Sequence, residues 1–243
     1  PIFAELSQQQ IQRVATSIGD FLSSSQRSAA LFELGDIAQK DGKHDQAIIY
    51  FTEVQEKYAD SQFGPVSQYG LGSACYAKQD YAAAQKHLAA LLASKPNEKL
   101  LNRAHYLQGL TYQGLKQFPE GIKELLLFIA SKPGGDVLSD AKYALALCHI
   151  GAKQPDPAIV VLKELHTAQP AYAYDDKVLY ELAHTQLVKM LAAEATATFK
   201  LLAQTHKESS LAAESWFHVG QFHSGVAAET KQPATQTAQW KAA

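Results

Sequence analysis

Histidine is the residue type that most readily suggests chemistry, because nine histidines occur among the 243 residues. A structural zinc site requires several such side chains within about 2.1 Å of one ion. His149, His184 and His223 fall on successive predicted helices at nearly equivalent positions, so their side chains could approach one another. The sequence contains no His-Glu-x-x-His motif, however. His218 and His223 are five residues apart, a spacing that places them on different faces of a helix. We therefore expect surface or half-buried histidines and no metal site.

Other reactive residue types form no recognisable catalytic or cofactor motif. No serine occupies the centre of a Gly-x-Ser-x-Gly nucleophile motif. Gly134 and Gly135 follow Pro133 in a predicted turn but lack the Gly-Lys-Ser/Thr sequence of a phosphate-binding loop. The sequence therefore predicts a protein that is not an enzyme and that carries no cofactor.

Composition excludes several functional classes. The chain is 47% hydrophobic and 19% charged, which is too apolar for a disordered protein. Its formal net charge is −2 with both signs scattered, so it lacks the basic surface of a nucleic-acid binder. No apolar run approaches the roughly 20 residues that span a bilayer. The chain begins at Pro1 without a methionine, and we expect it to be part of a longer protein.

The elements that would position these side chains recur every 37 residues, as from Tyr69 to Tyr106 and on to Tyr143. Four columns of residues share this spacing, and each has one chemical character. They are aromatic (Phe32, Tyr69, Tyr106, Tyr143, Tyr180, Phe217), small (Gly35, Gly72, Gly109, Ala146, Ala183, Gly220), small again (Ala47, Ala84, Gly121, Ala158, Ala195), and large and apolar (Phe51, Leu88, Leu125, Leu162, Phe199). A fixed period of this length is typical of helix hairpins that bury their apolar faces against neighbouring hairpins.

Steric packing explains the small columns. Two helices approach to about 8–10 Å where one presents a small residue, and the large residue four positions later lies on the same face. Prolines delimit the predicted helices: one set lies in first turns and the other follows second helices (Pro65, Pro119 and Pro157; Pro96, Pro133 and Pro170). The predicted fold class is all-α, a right-handed superhelical solenoid of antiparallel helix hairpins. In this register Cys75 and Cys148 lie two repeats apart, too far for a disulfide.

The predicted domain organisation has three parts. Residues 1–27 form a half-repeat helix, and Ser28 is placed to cap the helix that follows. Residues 28–224 form five full repeats plus the first helix of a sixth. Residues 225–243 form an irregular tail, in which Ala238–Ala243 could begin a displaced helix.

The turn of the fifth repeat is apolar where the other turns are polar, and it reads Met190-Leu191-Ala192-Ala193. One interpretation is a tighter hairpin or a continued helix with these residues packed inside. The other is an exposed apolar patch that a partner covers.

The repeat resembles the tetratricopeptide repeat, which carries an aromatic residue, Gly, a second aromatic, a small residue, a large residue and a closing Pro in that order. One repeat matches throughout (Tyr106, Gly109, Tyr112, Gly121, Leu125, Pro133). The stretch Lys57-Tyr58-Ala59-Asp60-Ser61 is similar to the Lys-Tyr-Pro-Asp-Ser ending of bacterial envelope members, including the outer-membrane assembly lipoprotein D and the Tol-Pal-associated coordinator. This resemblance implies a bacterial envelope protein. The chain departs from the pattern at Ala59 and at Lys207, which both replace Pro.

In that family, repeat positions 2, 5, 9 and 12 face a concave groove, and these positions supply our candidate binding residues (Tyr69, Tyr106, Tyr143, Tyr180, Arg103, Lys177, His184, Gln113). Tyr and Arg are enriched at interface hot spots. The alternative is that each ring packs between adjacent first helices and only its hydroxyl reaches water. The cytosolic chaperone-tail members of the family grip a terminal carboxylate with Lys, Asn and Arg. That clamp is missing here, because the comparable positions hold other residues (Phe32, Tyr69 and Tyr106, then Asp36, Ser73 and Leu110).

The resemblance implies a non-enzymatic scaffold that binds a protein or peptide partner on its concave face. Two alternatives stay open. The chain could be an accessory helical domain of a larger envelope enzyme, or a structural spacer without a groove ligand.

Overall fold

A computed structural model describes residues 23–229. Most of the predicted half-repeat helix at 1–27 and most of the predicted tail at 225–243 therefore lie outside the described residues. Within the described part of the chain, the regular elements are all helices. They are α1 (Ser24–Lys40), α2 (His44–Lys57), α3 (Gly64–Ala77), α4 (Tyr81–Ala93), α5 (Glu98–Gly114), α6 (Phe118–Ala130), α7 (Asp136–Gly151), α8 (Pro155–Ala168), α9 (Asp175–Val188), α10 (Ala192–Thr205) and α11 (Ala212–Glu229).

The chain separates into two compact units, with the boundary between Ser131 and Lys132. Unit 1 contains α1–α6 and unit 2 contains α7–α11. In each unit every helix packs against the next one along the chain, and in unit 1 the first helices α1, α3 and α5 also touch in sequence. The predicted fold class, an all-α array of helix hairpins, is confirmed.

Five second helices begin at positions spaced by the sequence period: His44, Tyr81, Phe118, Pro155 and Ala192. The prolines predicted in first turns lie at the starts of α3, α6 and α8. Among the helices of the described residues, none combines the length and apolar character needed to cross a bilayer.

One turn geometry sets this spacing. Each first-to-second helix turn contains a residue with positive φ at the same repeat position (Gly42, Gln79, Lys116, Lys153, Met190). The next residue donates its N–H to a carbonyl five residues back, as from Lys43 to Ala38 at 2.8 Å and from Leu191 to Gln186 at 2.9 Å. This is the Schellman pattern that closes a helix end. Sequence reasoning missed the column because only its first member is glycine.

The fifth turn, Met190-Leu191-Ala192-Ala193, has this same geometry. The interpretation that its residues pack inside a tighter hairpin or continued helix is wrong for Met190, which is 91% exposed. Leu191 is partly buried and packs against the core of unit 2. The apolar turn therefore presents Met190 to solvent without altering the repeat.

Contacts between the first small column and the large column hold each hairpin together. A Cβ added to Gly109 would lie 2.7 Å from Leu125 Cγ, and one added to Gly72 would lie 2.7 Å from Leu88 Cγ. Leu88 and Leu125 are fully buried. At Gly35 the added Cβ would lie 2.5 Å from the Phe51 ring. The prediction that small residues mark helix contacts is confirmed for these three glycines of the first small column.

The first helix begins earlier than the predicted boundary at 28. Ser23 Oγ accepts the Gln26 N–H at 3.3 Å, and Gln26 Oε1 accepts the Ser23 N–H at 2.9 Å. This reciprocal capping box fixes the start of α1 at Ser24. Ser28, the predicted cap, is instead buried inside the helix and donates its hydroxyl to the Ser25 carbonyl. At the other end, α11 continues to Glu229, past the predicted limit at 224.

Replacing Gly109 by Leu should overpack the α5–α6 contact and lower the free energy of unfolding by roughly 1–3 kcal/mol. Gly134→Ala is the control, because nothing lies within 4 Å of its added Cβ. The control should change stability by less than about 0.5 kcal/mol. Urea unfolding of both variants measures the difference, and equal midpoints would contradict the assignment of Gly109 to a helix contact.

Replacing Met190 by Gly should stabilise the protein by roughly 0.5–1 kcal/mol. Its φ of 59° strains an L-residue, whereas its side chain is almost fully exposed and buries little. Val188→Gly is the matched control, since Val188 is exposed at the end of α9 with ordinary helical backbone. The free energy of unfolding of this control should fall by about 0.3 kcal/mol. Thermal melts of both variants measure these changes. A melting temperature of Met190→Gly below that of the wild type would contradict the assignment of strain to this turn.

Candidate functional site

A pocket of about 260 Å³ opens on the first helices of unit 1. Its lining residues come from α1 (Phe32, Asp36, Gln39, Lys40), α3 (Val66, Tyr69, Gly70, Ser73) and α5 (Leu100, Arg103), with Phe51 of α2 beneath them. Tyr69 and Arg103 were both candidate binding residues. The pocket therefore draws on the repeat positions that face the groove in the tetratricopeptide family.

Polar contacts within the pocket fix several of its side chains. Gln39 Nε2 donates to Ser73 Oγ at 2.5 Å and joins α1 to α3. Lys40 Nζ lies 2.6 Å from the Asp36 carboxylate, one turn away on α1. Two cations and one carboxylate line the pocket, so its charge is net positive.

Arg103 is held against Tyr69. Its guanidinium carbon lies 4.4 Å from the centre of the Tyr69 ring, within the range of a cation–π contact. The Tyr69 ring itself packs against the buried cluster of Leu91, Leu100 and Ala104. Arg103 remains exposed, so its planar donors stay available to a carboxylate.

The other two candidates of unit 1 do not line this pocket. The Tyr106 ring is half-buried and lies 4.9 Å from the Phe128 ring centre. Gln113 is half-buried near the end of α5. Sequence reasoning had not singled out Val66, Leu100 or Lys40, because single apolar residues and a surface lysine give no distinctive signal.

The remaining four candidates lie in unit 2. Tyr143 is half-buried against a core cluster, and burial raises the pKa of its hydroxyl to about 12. Lys177 Nζ lies 4.6 Å above the Tyr174 ring, in a second cation–π contact. The Tyr180 ring packs beside Phe199, and its hydroxyl donates to Glu214 Oε1 at 2.8 Å. His184 lies 4.3 Å from the Tyr180 ring centre.

His184 belongs to a cluster that sequence reasoning missed. Its ligand atom and those of Glu214 and His218 all lie within 4.8 Å of one another. Burial and the nearby His218 lower the pKa of His184. His149 and His223 do not join this cluster: His149 Nδ1 lies 2.8 Å from Gln154 Oε1, and the His223 ring packs beside Phe222.

A second histidine arrangement surrounds Asp175, which is 2% exposed. Its carboxylate oxygens lie 2.8 Å from His166 Nδ1 and 2.9 Å from His206 Nε2. Asp175 thus links the end of α8 to the residue that follows α10, while the neighbouring Asp176 accepts the Ser209 hydroxyl at 2.6 Å.

The two cysteines carry no activated thiol. Both are free and buried. Burial raises the pKa of Cys75, and it raises the pKa of Cys148 to about 11. Because the thiolate is the reactive form, neither has the electrostatic setting of a nucleophilic cysteine.

Asp175→Ala should lower the free energy of unfolding by about 2 kcal/mol or more, because it leaves two partly buried imidazoles without their acceptor. Asp136→Ala is the matched control, since Asp136 is also in the first turn of a first helix but is exposed. The control should cost about 0.5 kcal/mol or less. If urea unfolding showed equal losses of unfolding free energy in the two variants, Asp175 would act only through the helix dipole.

Residues 24–132 match the family model YfiO, described as an outer membrane lipoprotein. This matched region and unit 1 end at almost the same residue. A comparison with curated protein sequences found no match. The descriptions of the matched family and of the solved structures below name no enzymatic activity.

Three solved structures show the fold. MamA from Desulfovibrio magneticus RS-1, residues 41 to the end, is 19% identical with a TM-score of 0.67, over 77% of this chain and 99% of that one. YrrB, a tetratricopeptide-repeat protein with an unusual peptide-binding site, is 12% identical with a TM-score of 0.68, and the match covers 86% of this chain and 98% of YrrB. A tetratricopeptide-repeat protein from Parabacteroides merdae ATCC 43184 is 14% identical with a TM-score of 0.62, and the match covers 96% of this chain and 90% of that protein. The chain therefore has the fold of tetratricopeptide-repeat proteins, and its residues 24–132 are similar to a family of outer membrane lipoproteins.

Proposed function

We propose that the chain is a non-enzymatic scaffold that binds a peptide or an extended protein segment on the first helices of unit 1. The observation that carries this proposal is the pocket on α1, α3 and α5, with Arg103 exposed at its side. Three consecutive first helices contribute to it, so an extended segment that follows the repeats would meet one group of side chains after another.

The volume of the pocket favours a peptide side chain over a free small molecule. Cofactor and ligand sites commonly occupy about 300–1,000 Å³, and this pocket has about 260 Å³. Phe32, Val66 and Leu100 supply apolar walls. An apolar side chain of the partner would displace water from these walls and gain the free energy of burial.

The charges of the pocket favour an acidic group beside that apolar side chain. Asp36 is already paired with Lys40, which leaves Arg103 as the cation without a carboxylate among the lining residues. Its position over Tyr69 preorganises the guanidinium and reduces the entropy lost on binding. The partner we expect is therefore a segment that places an apolar residue next to Asp, Glu or a terminal carboxylate.

Two comparisons support this function and its location. YrrB, which has a similar fold, is described as having a peptide-binding site. The outer membrane lipoprotein match over residues 24–132 supports a role at the bacterial envelope, in agreement with the resemblance carried by Lys57–Ser61.

Peptides selected from a random display library against the whole chain should contain this apolar–acidic pair. In calorimetric titration with a selected peptide, Arg103→Ala should weaken binding about tenfold, which corresponds to about 1.4 kcal/mol. It should also reduce the salt dependence of binding, because a charge pair has been removed. Ser73→Tyr should abolish binding by placing a ring in the pocket.

Lys177→Ala is the matched control, because Lys177 is also an exposed cation stacked on a tyrosine but lies in unit 2. Its peptide affinity should equal that of the wild type. Circular dichroism confirms that each variant is folded. Unchanged affinity in both Arg103→Ala and Ser73→Tyr would rule out this pocket as the binding site.

A further inference from the structure

The cluster of His184, Glu214 and His218 occupies the repeat positions that form the pocket in unit 1. Four repeat periods separate His184 from Asp36, Glu214 from Val66 and His218 from Gly70. Tyr180 and Phe199 lie beside the cluster. They are also four repeat periods from Phe32 and Phe51, which line the pocket. Between the fifth and sixth repeats, this place in the fold therefore holds two imidazoles and a carboxylate.

The fold brings these three groups together by simple helical geometry. Glu214 and His218 are four residues apart on α11, so they share one face, and His218 Nε2 lies 3.8 Å from Glu214 Oε1. His184 faces them from α9, with its ring centre 5.3 Å from that of His218. Phe199 stacks on His218 at 4.5 Å and meets the His184 ring edge-on at 5.2 Å, which restricts both imidazoles.

One polar atom of the cluster lacks a partner. His184 Nε2 is buried and makes no hydrogen bond within the described structure. A buried nitrogen without a partner is unfavourable, because it loses its hydration and no hydrogen bond replaces it. If the cluster were only an aromatic contact, Phe or Leu at position 184 would pack without that cost.

Tyr180 orients the carboxylate. Its hydroxyl donates to Glu214 Oε1 at 2.8 Å, as groups around metal sites commonly do to a ligating carboxylate. Glu214 is half exposed, which gives an ion a path from solvent to the cluster. Two imidazoles and one carboxylate are a donor set used by zinc sites that keep a fourth position open.

We propose that His184, Glu214 and His218 form a divalent-metal site that binds Zn²⁺ and joins α9 to α11. In tetrahedral zinc coordination the ligand atoms lie about 3.4 Å apart. The separations here, up to 4.8 Å, therefore require only small side-chain rotations. The site is independent of the pocket in unit 1, and nothing in the peptide-binding proposal depends on it.

Calorimetric titration of the metal-stripped whole chain with Zn²⁺ tests the site. We expect saturable binding and a higher melting temperature at saturating Zn²⁺. Glu214→Gln keeps the size of the side chain but removes its charge, and it should weaken binding more than tenfold, as should His184→Gln. Tyr180→Phe should weaken binding roughly tenfold by releasing the carboxylate. Co²⁺ in place of Zn²⁺ should give the visible absorption of a tetrahedral site, and this absorption should be lost in Glu214→Gln.

His223→Gln is the matched control, because His223 lies on the same helix outside the cluster. It should bind Zn²⁺ as the wild type does. Asp175→Asn separates this site from the His166–Asp175–His206 arrangement and should also leave binding unchanged. Absence of Zn²⁺ binding, or binding that persists in both Glu214→Gln and His184→Gln, would overturn the proposal.

Discussion

The contact between a small residue on each first helix and a large residue on the second helix is the constraint on which the rest of the structure depends. At Gly35, Gly72 and Gly109, the side chain opposite lies so close that an added Cβ would approach within 2.5–2.7 Å. This close approach fixes the separation of the two helices. Because the contact recurs at one register, the first helices of unit 1 line up and present their groove-facing positions together.

The turn between the first and second helix of each repeat also fixes that register. A positive-φ residue with its two backward hydrogen bonds closes each first helix at the same repeat position. The second helices then begin one period apart. Backbone hydrogen bonding thus sets the length of the repeat, and side-chain packing sets the distance between its helices.

Most of the fold could be predicted from the sequence, because packing between neighbouring helices leaves a periodic trace. Gly109 and Leu125 show how a column of residue types reports a contact. The turn column was missed, since Gln79 and Met190 adopt φ angles that their side chains do not favour. The candidate site was harder to predict. Tyr69 and Arg103 line the pocket, but periodicity alone could not show that His184 faces Glu214 and His218, because these three occur at one interface between repeats and nowhere else in the sequence pattern.

One repeat position can therefore serve different chemistry in different repeats. Gly70 packs directly on the Phe51 ring beside the pocket, since a Cβ added to it would lie 2.6 Å from that ring. At the equivalent place in unit 2, His218 stacks its own ring on Phe199. The helical framework does not change between these two interfaces, since the small-to-large contacts are kept.

A double-mutant cycle between Gly109 and Leu125 tests the central claim most directly. In the wild type, Gly109→Ala should destabilise the protein, because its Cβ would lie 2.7 Å from Leu125 Cγ. In a Leu125→Ala background the two crowding side-chain atoms are gone and only the backbone nitrogen of residue 125 remains close, at 3.3 Å. The same change should then cost much less, because helix propensity favours Ala over Gly by about 1 kcal/mol. The account predicts a coupling energy above about 1 kcal/mol from urea unfolding. Additive effects would contradict it and show that the small column does not set the helix contact.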